Sequence, residues 1–409
     1  MKKSLLYYSD CYFFAGCENM IANFLNSKEL AEEFDVHFVY RYSARYEEGA
    51  RIRIRDVSNC EGVKLITEPT MDSWVNSNNR ILALFQRIVW NVVFIAAKYW
   101  CIYRNTKTLK DVFAKYRPDI VHINNGGYPA ATSAQAAVFA AHKCNVRIIY
   151  YVVNNMAMSY MHATRIFDLF VDHYVKKYVT RFITGSNNAG NHLKKVLSLP
   201  EEKQITIRNG IVQRSTTMSV ADFKEKYSVP EDKVVFTTIA NLEERKGHKY
   251  LLYAIRELKE EGKLNNQFFV FEGKGPNEEF IMNYIVDNDL SKYVRLISVP
   301  AIYDLYAASD VVILPSIANE DFPNIIIESM GMGIPVIGTK IAGIPEQIIP
   351  DETGILIEPA NVEELKAAIL KMSRDEIFRS DCSKRAQKVF AENYTSVISV
   401  MNYIDLYRE

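Results

Sequence analysis

The chain has 409 residues, 48% hydrophobic and 24% charged, the composition of a folded globular protein and not of a disordered one. That length exceeds one ordinary core and predicts at least two domains. Lys plus Arg, 49, balances Asp plus Glu, 49, so no net field draws in nucleic acid or another polyanion.

The opening segment Ser4–Ser9 reads as a buried strand, since its apolar run is too short for a signal peptide. Ala15-Gly16-Cys17-Glu18 follows, leading into a helical pattern over Glu18–Leu30 and a strand at Val36–Tyr42. Cys11, Cys17, Cys60, Cys101, Cys144 and Cys382 are scattered without CxxC spacing. That usage predicts a reduced compartment, the cytoplasm, and argues against structural zinc or a disulfide framework. Ile81 to Tyr103 is strongly apolar, but Gln86, Arg87 and Lys98 interrupt it. The uninterrupted core, Ile88 to Ala97, is about half a membrane span. Two readings stay open there. With Arg80, Arg87, Lys98, Arg104, Trp90 and Trp100 the segment reads as a helix lying peripherally on the inner face of a membrane. As part of a helical pattern over Ile81–Lys115 it reads as an amphipathic helix packed on a sheet, the commoner object.

Strands are predicted next at Ile120–Asn124, Arg147–Val153, Phe182–Thr184 and Ile205–Ile207, with helices over Pro129–His142 and Ala189–Leu197. A polar stretch after Asn209-Gly210-Ile211 marks a boundary, which predicts a first domain over 1–212 and a second from 213. The second half repeats the pattern, with strands at Val234–Ile239, Gln267–Phe271, Val294–Ile297, Val311–Leu314, Val336–Gly338 and Ile355–Ile357. Near-continuous apolar strands alternating with helices predict an α/β fold, with parallel sheets covered on both faces. Two such series predict two facing Rossmann-like domains, with ligands outside the carboxyl ends of the strands and therefore in an interdomain cleft.

Several loops at those strand ends carry chemistry. Asn241-Leu242-Glu243-Glu244-Arg245-Lys246-Gly247 follows Val234–Ile239 and places cations where a diphosphate can be neutralised. Gly273-Lys274-Gly275-Pro276 follows Gln267–Phe271 and allows close backbone approach to a ligand, although alone it reads as an ordinary turn. Leu314-Pro315-Ser316 and Gly343-Ile344-Pro345-Glu346 add two more loops at the same edge. Between them lie Glu320 and Glu328, eight residues apart, with Asp321-Phe322-Pro323-Asn324 in between. On one helix such a pair would be separated by roughly 12 Å. A glycosidase needs about 5 Å for retention, or under about 10 Å for inversion. Pro323 fits a first helical turn, so Glu320 falls in the loop before the helix and Glu328 inside it. The pair then reads either as a clamp on two ends of an extended ligand or as a solvated acidic loop before an amphipathic helix. In the first reading the backbone amides of Asn324 and Ile325 suit a diphosphate.

Together these motifs resemble glycosyltransferase family 4, the retaining GT-B enzymes of glycosyl transferases group 1. The resemblance rests on Glu320 and Glu328 with Gly333-Ile334-Pro335-Val336, on Gly343-Ile344-Pro345-Glu346, on the Asn241–Gly247 loop and on Gly273-x-Gly275-Pro276. In the first half it takes in Asp119-Ile120-Val121-His122-Ile123-Asn124, Gly185-Ser186 and Asn209-Gly210-Ile211. It covers nearly the whole chain, strongly over 234–360 and weakly before 120. It implies that Glu328 binds the ribose of a nucleotide-sugar donor and that Glu320 contacts the donor sugar. Lys246 would stabilise the leaving diphosphate, the task metal ions perform in other transferases, so no metal and no cofactor are expected. Asn324, Ile325, Phe322, Pro323, Pro315, Ser316, Gly273, Gly275, Asn241 and Arg245 would complete the donor site. Gly16, Glu18, His122, Asn154 and Asn155 would face the acceptor or cleft, and Tyr394 to Arg408 resembles the terminal helix that returns to the first domain, which divides the second half into a domain over 213–392 and a helical segment over 393–409. Two departures stand out. Ala240-Asn241-Leu242 replaces the family's Gly-Arg-Leu, leaving Arg245 to supply the missing cation. Val153-Asn154-Asn155 replaces a strand-end His, a role left to an Asn or to His162. His122 matches a family histidine, but a lone His ending an apolar strand also reads as structural. The implied activity is retaining, metal-independent hexosyl transfer from a nucleoside-diphosphate sugar to a sugar or lipid-linked acceptor in cell-envelope polysaccharide or glycolipid synthesis. A nucleotide-sugar epimerase of the same fold, or a non-catalytic relative, are the alternatives.

Overall fold

The structure, a computed structural model, describes residues 2–12, 14, 16–68, 80–161 and 164–409. It divides into two compact units, Met1–Arg208 with Val400–Glu409, and Asn209–Ser399. In the first, the chain runs β1 (Lys3–Ser9), α1 (Gly16–Leu25), α2 (Lys28–Glu33), β2 (Phe34–Arg41), α3 (Ala44–Arg53), β3 (Cys60–Val63) and α4 (Arg80–Tyr116). It continues through β4 (Ile120–Asn125), α5 (Thr132–Lys143), β5 (Ile148–Val153), α6 (Leu169–Tyr178), β6 (Arg181–Thr184), α7 (Asn187–Leu197) and β7 (Gln204–Thr206). The strands form one parallel sheet in the order β3-β2-β1-β4-β5-β6-β7. The order reverses between β1 and β4, so the loops after these two strands leave in opposite directions around one crevice.

The second unit runs α8 (Val220–Lys226), β8 (Val234–Ile239), α9 (His248–Glu260), β9 (Gln267–Glu272), α10 (Glu278–Asp287), β10 (Val294–Ile297) and α11 (Ile302–Ala307). Then come β11 (Val311–Leu314), α12 (Asn324–Gly331), β12 (Val336–Thr339), α13 (Ile344–Gln347), β13 (Gly354–Ile357), α14 (Val362–Arg374) and α15 (Glu376–Asn393). Its sheet, β10-β9-β8-β11-β12-β13, is also parallel and reverses at β8 and β11. Strands such as Val311–Leu314 are buried at every position, as expected where helices cover both faces.

Three elements of the first domain were not anticipated. β3 is a four-residue edge strand, Cys-Glu-Gly-Val, too short to show a period. α3 is polar and buries only Tyr46 and Ala50. α6 buries Val171, Asp172 and Val175. The predicted helix over Glu18–Leu30 is two helices, because Ser27 leaves the helical conformation and accepts the Leu30 amide at 3.2 Å as the cap of α2.

α4 extends the predicted helix by one residue at each end. Ile102, Leu109 and Phe113 are buried in a core shared with the alanines of α5, so this half of the helix packs on the domain. Val92, Trp100 and Tyr103 remain exposed, and the side chains of residues 80–88 lie outside the described set. Among the described residues no helix is long and apolar enough to cross a membrane.

A last helix, α16 (Ser396–Arg408), ends on the opposite face of the first sheet. There Tyr403, Ile404, Leu406 and Tyr407 join Leu5, Tyr7, Phe24 and Ile120 in one core. His122 is part of it, which corrects the expectation that it faces an acceptor: it sits within β4 and is 1% exposed. Tyr7, Phe24, Tyr403 and Tyr407 surround its ring, and the Tyr407 hydroxyl lies 2.6 Å from its Nδ1. Burial disfavours the imidazolium and pushes the His122 pKa from 6.5 down to about 3. The folded state therefore binds fewer protons than the unfolded state between those values, and stability is lost as pH falls below about 6.5. In acid titrations of first-domain unfolding, wild type should lose up to about 1.4 kcal/mol per pH unit more than His122→Gln across this window. Parallel curves for the two proteins would refute the buried neutral histidine.

Candidate active site

The loop after β8 and the loop after β11 meet at the reversal of the second sheet. Gly247 adopts φ +72, and a Cβ there would lie 1.9 Å from the Pro315 carbonyl oxygen. Only glycine permits this approach, which is secured by the Ile317 amide donating to the Arg245 carbonyl at 2.8 Å. A second close approach joins the loops after β8 and β9. Gly273, at φ +149, lies where a Cβ would be 2.0 Å from the Ala240 carbonyl, and Leu242 donates to Lys274 at 3.0 Å.

This backbone clamp brings two charges together. Lys246 ends a short 3₁₀ turn, Glu244–Lys246, and its Nζ pairs with Glu320 Oε1. Ser316 Oγ donates to the same carboxylate oxygen at 2.8 Å, and Thr339 Oγ1 holds the Ser316 carbonyl at 2.7 Å. Arg245 Nη1 lies 3.6 Å from Glu320 Oε1, while its Nε donates to Glu243 at 2.6 Å and its Nη1 to the Asn319 carbonyl at 3.1 Å. Asn319 turns the chain at φ +53, a conformation Asn tolerates, and aims Glu320 back toward the sheet. Glu320 is only 6% exposed, so its cationic and hydroxyl partners offset the cost of burying its charge.

Glu328 is in α12, half-buried. Pro323 is extended, at ψ 122, and caps the helix, which begins at Asn324, one residue after the predicted start. In this first turn the Ile326 amide donates to the Pro323 carbonyl at 3.2 Å. Asn324 Oδ1 accepts from Asn209 Nδ2 at 3.0 Å, and Gln347 Nε2 donates to the Pro323 carbonyl at 3.1 Å.

The structure thus gathers Lys246, Arg245, Glu320 and Glu328 with the α12 turn at one sheet edge. Asn241 is exposed, and its Nδ2 donates to Glu243 Oε1 at 3.4 Å. Ile325 is half-buried on α12 and Gly275 packs on the Leu242 backbone. Three expected donor contacts need correction. Ser316 is fully buried with its hydroxyl engaged by Glu320, Pro315 is buried behind Gly247, and the Phe322 ring lies in the core against Tyr394.

Two groups at this edge escaped the sequence reading. Tyr306, in α11, is fully buried and its hydroxyl donates to Glu328 Oε2 at 2.7 Å. Burial, reinforced by the Glu328 charge, holds its pKa well above the usual phenol value, so it remains a donor. Glu272, at the end of β9, has its pKa raised by burial. A Tyr in an apolar helix looks like core, so only the contact with Glu328 reveals Tyr306.

A smaller polar chain occupies the reversal of the first sheet. Ser9 Oγ donates to Glu18 Oε1 at 3.2 Å and accepts from Asn124 Nδ2 at 3.3 Å. Asn154 Nδ2 donates to Asn124 Oδ1 at 2.7 Å. Gly16 opens α1 just before Glu18, and Asn155 Oδ1 accepts the Met156 amide at 2.8 Å. His162 and Ala15 lie outside the described residues. Among the described residues no group of three or more His, Cys, Asp or Glu is placed to hold a metal ion.

Residues 219–389 match the model of the family glycosyl transferases group 1, which covers the whole of this edge. Over its full length the chain superposes on Anabaena HepE, crystallised with UDP-glucose, with a TM-score of 0.76, 15% identity and 99% of each chain covered. The chain has the GT-B fold. It is 23% identical to the uncharacterised glycosyltransferase MJ1607 of Methanocaldococcus jannaschii over 54% of this chain and 58% of that one. To the putative colanic acid biosynthesis glycosyltransferase WcaL of Escherichia coli it is 26% identical over 56% of this chain and 58% of the relative. The match spans little more than half the length of these relatives.

If Lys246 and Glu320 neutralise each other, removing one leaves the other uncompensated. Lys246→Met and Glu320→Gln should each destabilise the second domain, and the double variant should recover a coupling energy of about 1–3 kcal/mol. Chemical denaturation of the four proteins measures it, and purely additive losses would show that solvent already screens the pair.

Proposed function

We propose that this protein is a glycosyltransferase that moves a hexosyl group, with retention, from a nucleoside-diphosphate sugar to a hydroxyl acceptor in cell-envelope polysaccharide or glycolipid synthesis. The observation that carries the proposal is the Lys246–Glu320 pair at the sheet reversal, with Glu328 one helical turn into α12. The family match over residues 219–389 and the polysaccharide relatives support it.

In this reading the diphosphate lies between the Lys246 ammonium and the first-turn amides of α12. As the glycosidic bond breaks, negative charge grows on the diphosphate, and a fixed ammonium stabilises that state more than the ground state. Arg245 adds a second cation where the family has one at position 241. Glu320 accepts from the sugar hydroxyls and fixes the reacting carbon. Glu328 accepts from the ribose hydroxyls. The acceptor attacks from the face the diphosphate vacates, and a phosphate oxygen takes its proton, so no protein nucleophile is used and the lysine supplies the charge without a metal. Asn154, half-buried and braced through Asn124 by Ser9 and the buried Glu18, is proposed to meet the acceptor.

The donor is identified by offering UDP-, GDP- and ADP-sugars, UDP-glucose first, and following sugar transfer. Glu320→Ala should lower kcat by at least about a hundredfold while nucleotide binding changes little. Full turnover in that variant would sink the assignment. An isomerised nucleotide sugar formed without acceptor would mark an epimerase instead.

Tyr306 sets the orientation of Glu328. Tyr306→Phe should raise KM for the donor several-fold with kcat nearly unchanged, and should relax discrimination against a 2′-deoxyribose donor. If kcat falls and KM holds, Glu328 is not a ribose contact.

A further inference from the structure

Among its described residues the first domain carries an exposed apolar surface. Beyond β5 the chain exposes Met161 at 94%, and around the start of α6 it exposes Ile166, Phe167, Leu169 and Phe170, the last at 68%. Beside them Trp100 and Tyr103 are exposed on α4. The two stretches are tied together: Tyr99 donates to the Phe167 carbonyl at 2.5 Å, and Lys98 Nζ lies 2.6 Å from Asp168 Oδ1.

The acids of this region point inward. Asp168 and Asp172 are buried and share Arg165, which is 1% exposed, at 2.9 and 2.7 Å. Among the described residues of 89–110 and 158–181 no Asp or Glu is exposed, and the next acid along α4 is the exposed Asp111, one turn beyond Lys107. The exposed charges there are basic, with Arg104 and Lys107 following Trp100 on the outer stripe of α4, and Lys177 following Phe170 on α6. In a chain whose acids and bases balance at 49 each, this is a local departure in charge as well as polarity.

We propose that this face docks on a bilayer bearing anionic lipids. Phe167, Phe170 and Trp100 would enter the interface, where amphipathic and aromatic side chains settle at headgroup depth. Arg104, Lys107 and Lys177 would meet lipid phosphates, drawn by the negative surface potential. A second copy of the chain fits the apolar residues but not the charge, since a two-fold contact would set the same cations against each other. The surface would bring the enzyme to a lipid-linked acceptor, but its binding is read without donor or acceptor and stands apart from the proposed reaction.

The test is co-sedimentation of the full chain with phosphatidylcholine vesicles, with and without phosphatidylglycerol. Wild type should partition onto phosphatidylglycerol vesicles and release as salt rises. Phe167→Ser with Phe170→Ser should reduce bound protein by about fivefold or more at an unchanged unfolding temperature. Arg104→Glu with Lys107→Glu should abolish the preference for phosphatidylglycerol. No partitioning of wild type overturns the proposal, as does equal partitioning of the folded serine variant. Self-association lost in the serine variant, without vesicle binding, would assign the surface to a second copy and overturn it as well.

Discussion

The approach of Gly247 to the Pro315 carbonyl is the constraint on which the second domain's site depends. A parallel sheet that reverses at β8 and β11 leaves a crevice between the loops of those strands, but a crevice alone does not fix side chains. Removing the Cβ at position 247 lets the β8 loop sit directly on the end of β11. Lys246, one residue earlier, is then delivered to Glu320, five residues beyond Pro315. Had the loops stood a side chain further apart, both groups would be solvated, and a solvated pair contributes little to either stability or orientation.

The same arrangement decides what the pair can do. Ser316 and Thr339 anchor the carboxylate from below, through a hydroxyl and a carbonyl that are themselves buried. Glu320 therefore has little freedom to follow Lys246 if the lysine is drawn toward another anion. Lysine is the mobile member, with a flexible stem and three donors, while glutamate is fixed. Glu328 is held in the same way by Tyr306. Both acids are oriented by buried hydroxyl donors, and the mobile charge meets Glu320.

Much of this was legible in the sequence, for physical reasons. Strands such as Val311–Leu314 are apolar at every position because helices cover both faces, so their limits stand out against polar loops. The loops that carry Lys246 and Glu320, and the start of the helix that carries Glu328, were legible because glycine, proline and charge cluster there. The missed elements lack such contrast. α3 places a glycine amid arginines and glutamates, and β3 is four residues on a sheet edge. His122, Ser316 and Phe322 misled for the opposite reason: their motif positions lie near the site, but their side chains point into cores or brace another residue. A motif records chain position, and side-chain direction depends on packing from distant elements. For His122 that element is α16, some 280 residues away in sequence, where Tyr407 closes over the ring.

That long-range closure matters for how the first domain holds its own polar edge. Leu5 and Tyr7 on β1, with Ile120 and His122 on β4, belong to the core sealed by α16, whereas Ser9 and Asn124 at the ends of the same strands carry the hydrogen-bonded chain to Glu18 and Asn154. Side chains two residues apart on a strand point the same way, so a shift of β4 that moved His122 from Tyr407 would also move Asn124 from Ser9. The register of β1 against β4 is thus fixed twice, by aromatic packing in the middle of the strands and by hydrogen bonds at their ends. The buried Glu18 carboxylate depends on that register, because Ser9 Oγ links it to Asn124 only while the two strand ends stay level. The carboxyl edge of the first sheet is therefore organised from the C-terminal end of the chain.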